Sequence, residues 1–312
     1  MKALVTGGAG FIGSNLAGQL LRDGHTVTIL DNLSSGYRAN LASIPGARFV
    51  EGDIREERSV RRAMEHAEVV FHLAASVGNQ RSIDNPILDA EVNVIGTLRV
   101  LDAARRAGVR KLVASSSAGI FGELKTLPIR EDHPIAPDSP YGASKLCAEK
   151  ETLAFGKLSG IETVCLRYFN VYGPNQRFDA YGNVIPIFVF QMLRGQRLTI
   201  FGDGGQTRDF VNVRDVVQAN LRAAAAPGVC GAFNIGSGSR IAINALVKKL
   251  AAATGLEPRA GHAPSRPGDV RDSLADISAA RSAFGFQPAV DLDEGLAEYA
   301  AWARQEQRRN AA

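Results

Sequence analysis

Cysteine is nearly absent: the chain has 3 in 312 residues, at Cys147, Cys165 and Cys230. The number is odd and no two stand at CxxC spacing, so neither a disulfide framework nor a structural zinc site is expected. No cluster of residues with metal-ligand spacing is evident. An excess of one charge is also missing. Lys and Arg number 36 against 32 Asp and Glu, a net +4. That is too weak for a nucleic-acid partner, though it suits small anions. The arginine-rich end "ARQEQRRN" reads as a solvated helix end. No apolar run is long enough to span a bilayer. The opening "MKALVTGGAG" reads as a buried strand, not a signal peptide. Internal repeats and low-complexity segments are lacking. These absences point to a reducing, cytoplasmic compartment. Hydrophobic content of 45% with 22% charged residues is that of a folded globular chain. The length suits one large α/β domain, or a domain with a smaller lobe.

What is present is an alternation of short apolar strands with helical stretches. Strands are predicted at 2–6, 25–30, 47–53, 69–75, 111–117 and 162–168. Helices are predicted at about 11–23, 56–65, 85–107 and 139–158. Continuous apolar strands separated by helices imply a parallel sheet covered on both faces, a Rossmann-type doubly wound α/β fold. After Tyr168 the pattern loosens into polar loops (170–183, 201–210, 265–269) and helices near 185–194, 213–226 and 244–254. We expect an NAD-binding domain over 1–169, with the chain returning to it around 211–236. Residues 170–312 then form most of a smaller α/β lobe that binds the substrate.

The segment "GGAGFIG" places Gly7, Gly10 and Gly13 between the first strand and the first helix. Glycine there permits a tight turn, close approach to a pyrophosphate and close helix–strand packing. The helix N-terminus, at Phe11 and Ile12, offers its N–H groups to the anion. Asp31 ends the second strand, where a carboxylate accepts from ribose hydroxyls and repels a 2′-phosphate. The pattern therefore favours NAD over NADP. Asp53, after the third strand, is either a contact for the adenine amino group or a turn acid.

In "YGASK" the spacing of four puts Tyr141 and Lys145 on one helix face. A phenol ordinarily titrates at about 10. A nearby ammonium, with a positive nicotinamide ring, lowers that value and makes the phenol a usable base and acid near neutrality. Ser117 closes the fifth strand at the sheet's carboxyl edge, where ligands bind in such folds.

With "DNLSSG", "SSSAGIFG", "LRYFNVYGP", "RDFVNVRDVV" and "RPGD", these motifs resemble the extended short-chain dehydrogenase/reductase family, the NAD-dependent epimerase/dehydratases. Within it they look most like the UDP-glucose 4-epimerase group. The likeness runs from Lys2 to about Trp302. It implies a catalytic Ser117, Tyr141 and Lys145, the third serine of the run being the active one. It extends the NAD contacts to Asn32, Ser35, Gly36 and Ile54, to Leu73, Ala74 and Ala75, and to Asn93, Ser115 and Tyr168. It also implies the reaction: Tyr141 takes the C4 hydroxyl proton, hydride passes to NAD⁺, and the 4-keto sugar turns over before hydride returns to its other face. Dehydratase relatives carry an Asp-Glu pair after the catalytic hydroxyl, and decarboxylating relatives a glutamate. Ala118 and Gly119 stand there instead, so plain epimerisation is favoured. Ile120-Phe121-Gly122 departs from the family's usual "VYG".

The same likeness assigns the UDP-sugar. Asn170, Arg208 and Arg266 hold the diphosphate, Asp269 the uridine ribose, and Asn183, Val184 and Phe201 the nucleotide, with Val77 beside the sugar. Ser273, four after Asp269, stands where a large aromatic would restrict the C2 substituent, so N-acetyl sugars are expected to fit alongside plain hexoses. Arg81 could reach a uronic acid carboxylate. A homodimer is expected, through the helices at 85–107 and 139–158. The competing readings are another nucleotide-sugar enzyme of the family (uronic acid 4-epimerase, dehydratase or reductase) and a non-catalytic NAD-binding sensor.

Overall fold

The computed structural model describes residues 1–178, 183–265 and 270–311. The strands β1 (Lys2–Thr6), β2 (Thr26–Asp31), β3 (Arg48–Glu51), β4 (Val69–His72), β5 (Lys111–Ser117) and β6 (Glu162–Tyr168) lie in one sheet. After β7 (Asn170–Tyr172), β8 (Leu198–Phe201), β9 (Thr207–Arg208) and β10 (Phe210–Asn212), the chain returns as β11 (Gly231–Ile235). The sheet order is β11-β6-β5-β4-β1-β2-β3, all parallel. The order reverses at β1, between β4 and β2, which makes a crevice at the carboxyl edge there.

Why the strands are apolar throughout is visible in how alternate residues divide. Ala3, Val5, Val27, Ile29, Val69, Phe71 and Val113 enter one buried cluster. Leu4, Leu30, Val70, Leu112 and Ala114, their neighbours along the same strands, enter another. Side chains alternate across a pleat, so a sheet covered on both faces needs apolar residues at both parities.

The helices are α1 (Phe11–Arg22), α2 (Arg38–Ala42), α3 (Glu57–Met64), α4 (Asn79–Asp84), α5 (Pro86–Ala90), α6 (Thr97–Arg106) and α7 (Pro140–Ser159). They continue as α8 (Val184–Leu193), α9 (Val213–Ala225), α10 (Ile243–Thr254), α11 (Ser278–Phe284) and α12 (Leu292–Ala311). The helix expected over 85–107 runs from Pro86 to Arg106 and carries a change of winding within it. A π-helical turn, Glu91–Gly96, separates α5 from α6. The apolar periodicity survives such a turn, which is why the pattern hid it.

The third core, around Ile185, Phe188, Leu246, Leu250, Leu296 and Tyr299, joins α8, α10 and α12. Three short pairings frame it: β10 with β7, β13 (Ala260–Ala263) with β8, and β12 (Ile241–Ala242) with β9. The arginine-rich end is helical, as read, but it is not wholly solvated: Ala303 and Glu306 are buried.

Candidate active site

The turn from β1 into α1 is built so that backbone faces an incoming anion. Gly7 has φ +70°, and a Cβ added there would lie 2.7 Å from the Ala74 amide nitrogen. A Cβ on Gly13 would lie 2.1 Å from the Gly7 carbonyl oxygen. Neither position tolerates a side chain. Gly10 caps α1 without a side-chain hydrogen bond, and the first turn holds no acid. The N–H groups of Phe11 and Ile12 therefore keep their positive end free for a phosphate. This cradle fits the pyrophosphate of NAD.

Asp31 ends β2 and is buried. Its carboxylate accepts from the Ala9 N–H at 2.9 Å and the Leu33 N–H at 2.7 Å. Burial raises its pKa, and the two N–H bonds oppose that rise. Asn32, Ser35 and Gly36 follow in the exposed turn beyond β2. Asp53 is a turn acid: it accepts from the Arg55 amide at 2.8 Å, the Arg55 guanidinium at 2.9 and 3.0 Å, and Asn32 at 2.8 Å. Arg55 holds it down to about 2. Four donors already occupy its two oxygens. Ile54 is buried in the core.

Beyond β4, the N–H groups of Leu73 and Ala74 donate to Thr6 Oγ1 at 3.2 Å each. Ala75 follows, half-buried, and Val77 is 55% exposed. The Asn93 amide is occupied within the protein. It donates to the Ser76 carbonyl at 3.0 Å and to Ser144 Oγ at 3.0 Å, and accepts from the Ser76 N–H at 2.9 Å. Tyr168 likewise points into the core, exchanging a hydrogen bond with Asn220.

The helix α7 starts where Ser139 accepts from the Gly142 N–H at 3.1 Å, with Pro140 in the first turn. Tyr141 N–H donates to Ser82 Oγ at 3.0 Å. Down the same face, Lys145 Nζ donates to the Ser115 carbonyl at 2.6 Å. Glu149 continues the spacing of four, accepting from Ser116 Oγ at 2.7 Å and pairing with the buried Arg167 at 2.7 Å. The three serines of β5 therefore divide their work. Ser115 holds Lys145, Ser116 holds Glu149, and Ser117 faces the Tyr141 phenol. Ser117 Oγ also accepts from the Gly119 N–H at 3.1 Å.

The lowered phenol expected from the sequence included a positive nicotinamide ring, and the protein's own groups alone act the other way. The Tyr141 phenol lies above its ordinary value, not below it: burial raises it, the Ser117 hydroxyl lowers it, and Asp89 adds to the rise. The protein's own groups do not make this phenol acidic; burial outweighs them. Lys145 is pulled down to about 8 by burial, against the neighbouring Cys165, Asp89 and Glu149.

The residues assigned to the diphosphate and nucleotide collect just past β6, whose Tyr168 is the register partner of Ser117. Pairing of β7 with β10 sets Asn170 opposite Phe210, and Asn170 Nδ2 donates to the Asp209 carbonyl at 3.1 Å, beside Arg208. Asn183 caps α8, which opens at Val184, and reaches the Val171 carbonyl at 3.4 Å. Phe201 ends β8 and accepts from Gln206 Nε2 at 2.7 Å. Ser273 is buried, next to Leu274, whose carbonyl takes the Ile129 N–H. Arg266 and Asp269 lie outside the described residues. Arg81 is half-buried on α4.

Sequence reasoning missed the supports. Asp209 is fully buried and accepts from Ser237, Gly238 and Ala275, fixing the strand that carries Arg208. Only Glu149 left a signal, the third member of an i, i+4 series. Ser82 and Asp209 meet their partners across 59 and 28 positions or more, beyond any local pattern.

A parallel sheet with a glycine cradle, an acid at the end of its second strand and a Ser–Tyr–Lys set along one edge defines a nicotinamide-dependent enzyme of the short-chain dehydrogenase/reductase class. Comparison with known proteins narrows this. The model of the NAD dependent epimerase/dehydratase family matches residues 3–236. UDP-glucose 4-epimerase of Mycolicibacterium smegmatis is 43% identical over 303 residues, covering 96% of this chain and 97% of that protein. The structure of UDP-glucose 4-epimerase from Thermotoga maritima with UDP-glucose superposes with a TM-score of 0.94 at 40% identity, over 98% of this chain and 100% of that one. UDP-N-acetylglucosamine 4-epimerase from Methanobrevibacter ruminantium superposes at 0.93 with 33% identity, over 98% of each. The chain belongs to the NAD dependent epimerase/dehydratase family. It is an NAD-dependent isomerase similar to the UDP-glucose 4-epimerases.

Proposed function

We infer that the chain inverts C4 of a UDP-hexose through a 4-keto intermediate. The observation that carries this is the meeting of Ser117, Tyr141 and Lys145 beside the glycine cradle, with no acid at positions 118 and 119. NAD, when bound, supplies the acceptor and later the donor of the C4 hydride. The chain does the rest. Tyr141 takes the C4 hydroxyl proton and returns it. Ser117 orients the reacting oxygen. Lys145, held by Ser115, places positive charge near the phenol. Gly7, Gly10 and Gly13 with the start of α1 hold the cofactor's pyrophosphate, and Asp31 its ribose.

Asn170 and Arg208 hold the substrate diphosphate, and guanidinium suits that task because it binds phosphate oxygens in pairs. Ser273 leaves the C2 side of the sugar unrestricted, and both UDP-glucose and UDP-N-acetylglucosamine epimerases occur among the structural relatives. We assign residues 1–169 and 211–236 to cofactor binding and most of the remainder to the nucleotide sugar. Exposed apolar side chains at Ile83, Ile87, Leu88 and Ile95 support a homodimer through α5, the π turn, α6 and α7. Three free thiols support a reducing, cytoplasmic setting; no helix among the described residues is long and apolar enough to cross a membrane.

The test is NMR of the purified protein with UDP-glucose, and separately UDP-N-acetylglucosamine, with catalytic NAD. A galacto-configured anomeric signal from each supports the assignment. A signal from UDP-glucose alone removes the Ser273 reading. No signal from either removes the UDP-hexose reading, and a monomeric mass in light scattering removes the dimer.

A further inference from the structure

Arg177 lies in the segment after β7, far in sequence from Tyr37, Asn40, Trp302 and Glu306, which it meets. Its side chain is 10% exposed, and so is nearly buried. The guanidinium donates to Glu306 on α12 at 2.6 Å and to Asn40 Oδ1 on α2 at 2.7 Å. It also stacks over the Tyr37 ring at 4.2 Å and faces Trp302 at 5.8 Å. Asn40 is buried, and its amide donates to the Ala9 carbonyl at 2.8 Å. The Tyr37 N–H donates to that same carbonyl at 3.0 Å. Ala9 stands in the glycine turn, and its own N–H donates to Asp31. Two further bonds fasten the same segment to α1: Asn15 to the Pro174 carbonyl at 2.9 Å, and Asn175 to Ser14 at 3.0 Å.

We propose that Arg177 is a positioning residue for the adenosine end of the cofactor, a claim that rests on the NAD reading above. It clamps the 37–40 segment against Ala9, and through Ala9 it fixes the Asp31 carboxylate that faces the ribose. A buried guanidinium paired on one side and stacked on the other is rigid, and rigidity in the wall of a site is affinity not spent on ordering it. The cation comes from the segment leading into the nucleotide-sugar side. Its carboxylate comes from the last helix. The fold thus joins its chain end to the cofactor turn.

The test is calorimetric titration of NAD into the whole protein. Arg177→Met raises the Kd by about tenfold, the scale of a lost charged hydrogen bond. The apparent KM for NAD rises with it, while kcat falls less than about threefold. Asn40→Ala weakens binding likewise, and the double variant is no weaker than the worse single one, because both break one chain of contacts. Arg214→Met is the control: it severs the exposed ties between α9 and α12, to Glu294 and Glu298, and leaves the Kd unchanged. If Arg177→Met fails to fold, Glu306→Gln keeps the shape of the pair and still raises the Kd. A wild-type Kd in these variants, an equal loss in Arg214→Met, or simple additivity with Asn40→Ala overturns the proposal. Wild-type protein that binds no NAD overturns the cofactor reading instead.

Discussion

The two ends of the candidate site are made differently. The cofactor end is backbone: Gly7 and Gly13 sit where a Cβ would strike main-chain atoms, and α1 presents bare N–H groups. The proposed nucleotide-sugar end is side chain: Asn170 and Arg208 project from strands of three and two residues. Between them stands Asp209, which the sequence does not single out: its carbonyl takes the Asn170 amide, and its buried carboxylate binds Ser237, Gly238 and Ala275. A backbone site imposes spacing on the chain, because strand, turn and helix follow one another in order. A side-chain site imposes only residue types, which loops collect from anywhere. Tyr141 and Lys145 fall between the two. Their spacing is local, but what holds them, Ser82 for the Tyr141 amide and Ser115 for Lys145, comes from two other elements.

That difference can be broken or sharpened by substitution. The largest expected effect is at Tyr141. Tyr141→Phe removes the proton acceptor while leaving the ring, and kcat falls by about a thousandfold, as for loss of a positioned acid–base group. Steady-state epimerisation rates check it, and a loss below tenfold would move the proton to another residue. Next comes the backbone end. Gly13→Ala forces a Cβ onto the Gly7 carbonyl, at an overpacking cost of roughly 1–3 kcal/mol, and NAD titration shows weakened binding. Arg208→Ala follows. It raises the KM for UDP-sugar by about tenfold and leaves NAD affinity as it was, since a lost charged contact is worth about that much. If Arg208→Ala weakened NAD as much as the sugar, the two ends would not be separable.

The smallest effect on turnover concerns pH. His72 is buried between Thr6 and Thr97, and burial pulls it down to about 3. Unfolded, it titrates near 6.5. Between those values the unfolded chain binds a proton that the folded chain refuses. Stability is therefore full above about 6.5 and falls as pH drops toward 3, by about 1.4 kcal/mol per pH unit in that interval. Urea unfolding at pH 5 and pH 7 measures the slope. His72→Asn should flatten it, and an unchanged slope would assign the effect to other groups.

Much of the sheet was legible because most of its strands are apolar at both parities and glycine or serine marks the turns that leave the first four strands. The π turn at 91–96 was not, because apolar spacing signals a helix and not the winding of one turn within it. Tyr141 and Lys145 were legible for the same local reason as the glycine loop, and Ser117 only from the likeness to the family. The lowered phenol was read with a positive nicotinamide ring beside it; among the protein's own groups alone, burial raises Tyr141. Glu306 was invisible in "ARQEQRRN", because what makes it buried is Arg177, 129 residues earlier.

The central claim is oxidation and reduction at C4, and one labelling experiment addresses it directly. UDP-glucose carrying deuterium at C4 is incubated in ordinary water with the enzyme and catalytic NAD. The UDP-galactose formed is then examined by mass spectrometry and NMR. Retention of deuterium at C4 is the predicted result, since the hydride leaves and returns without meeting solvent. Loss of the label to water would mean a proton is abstracted from carbon, and would contradict the account.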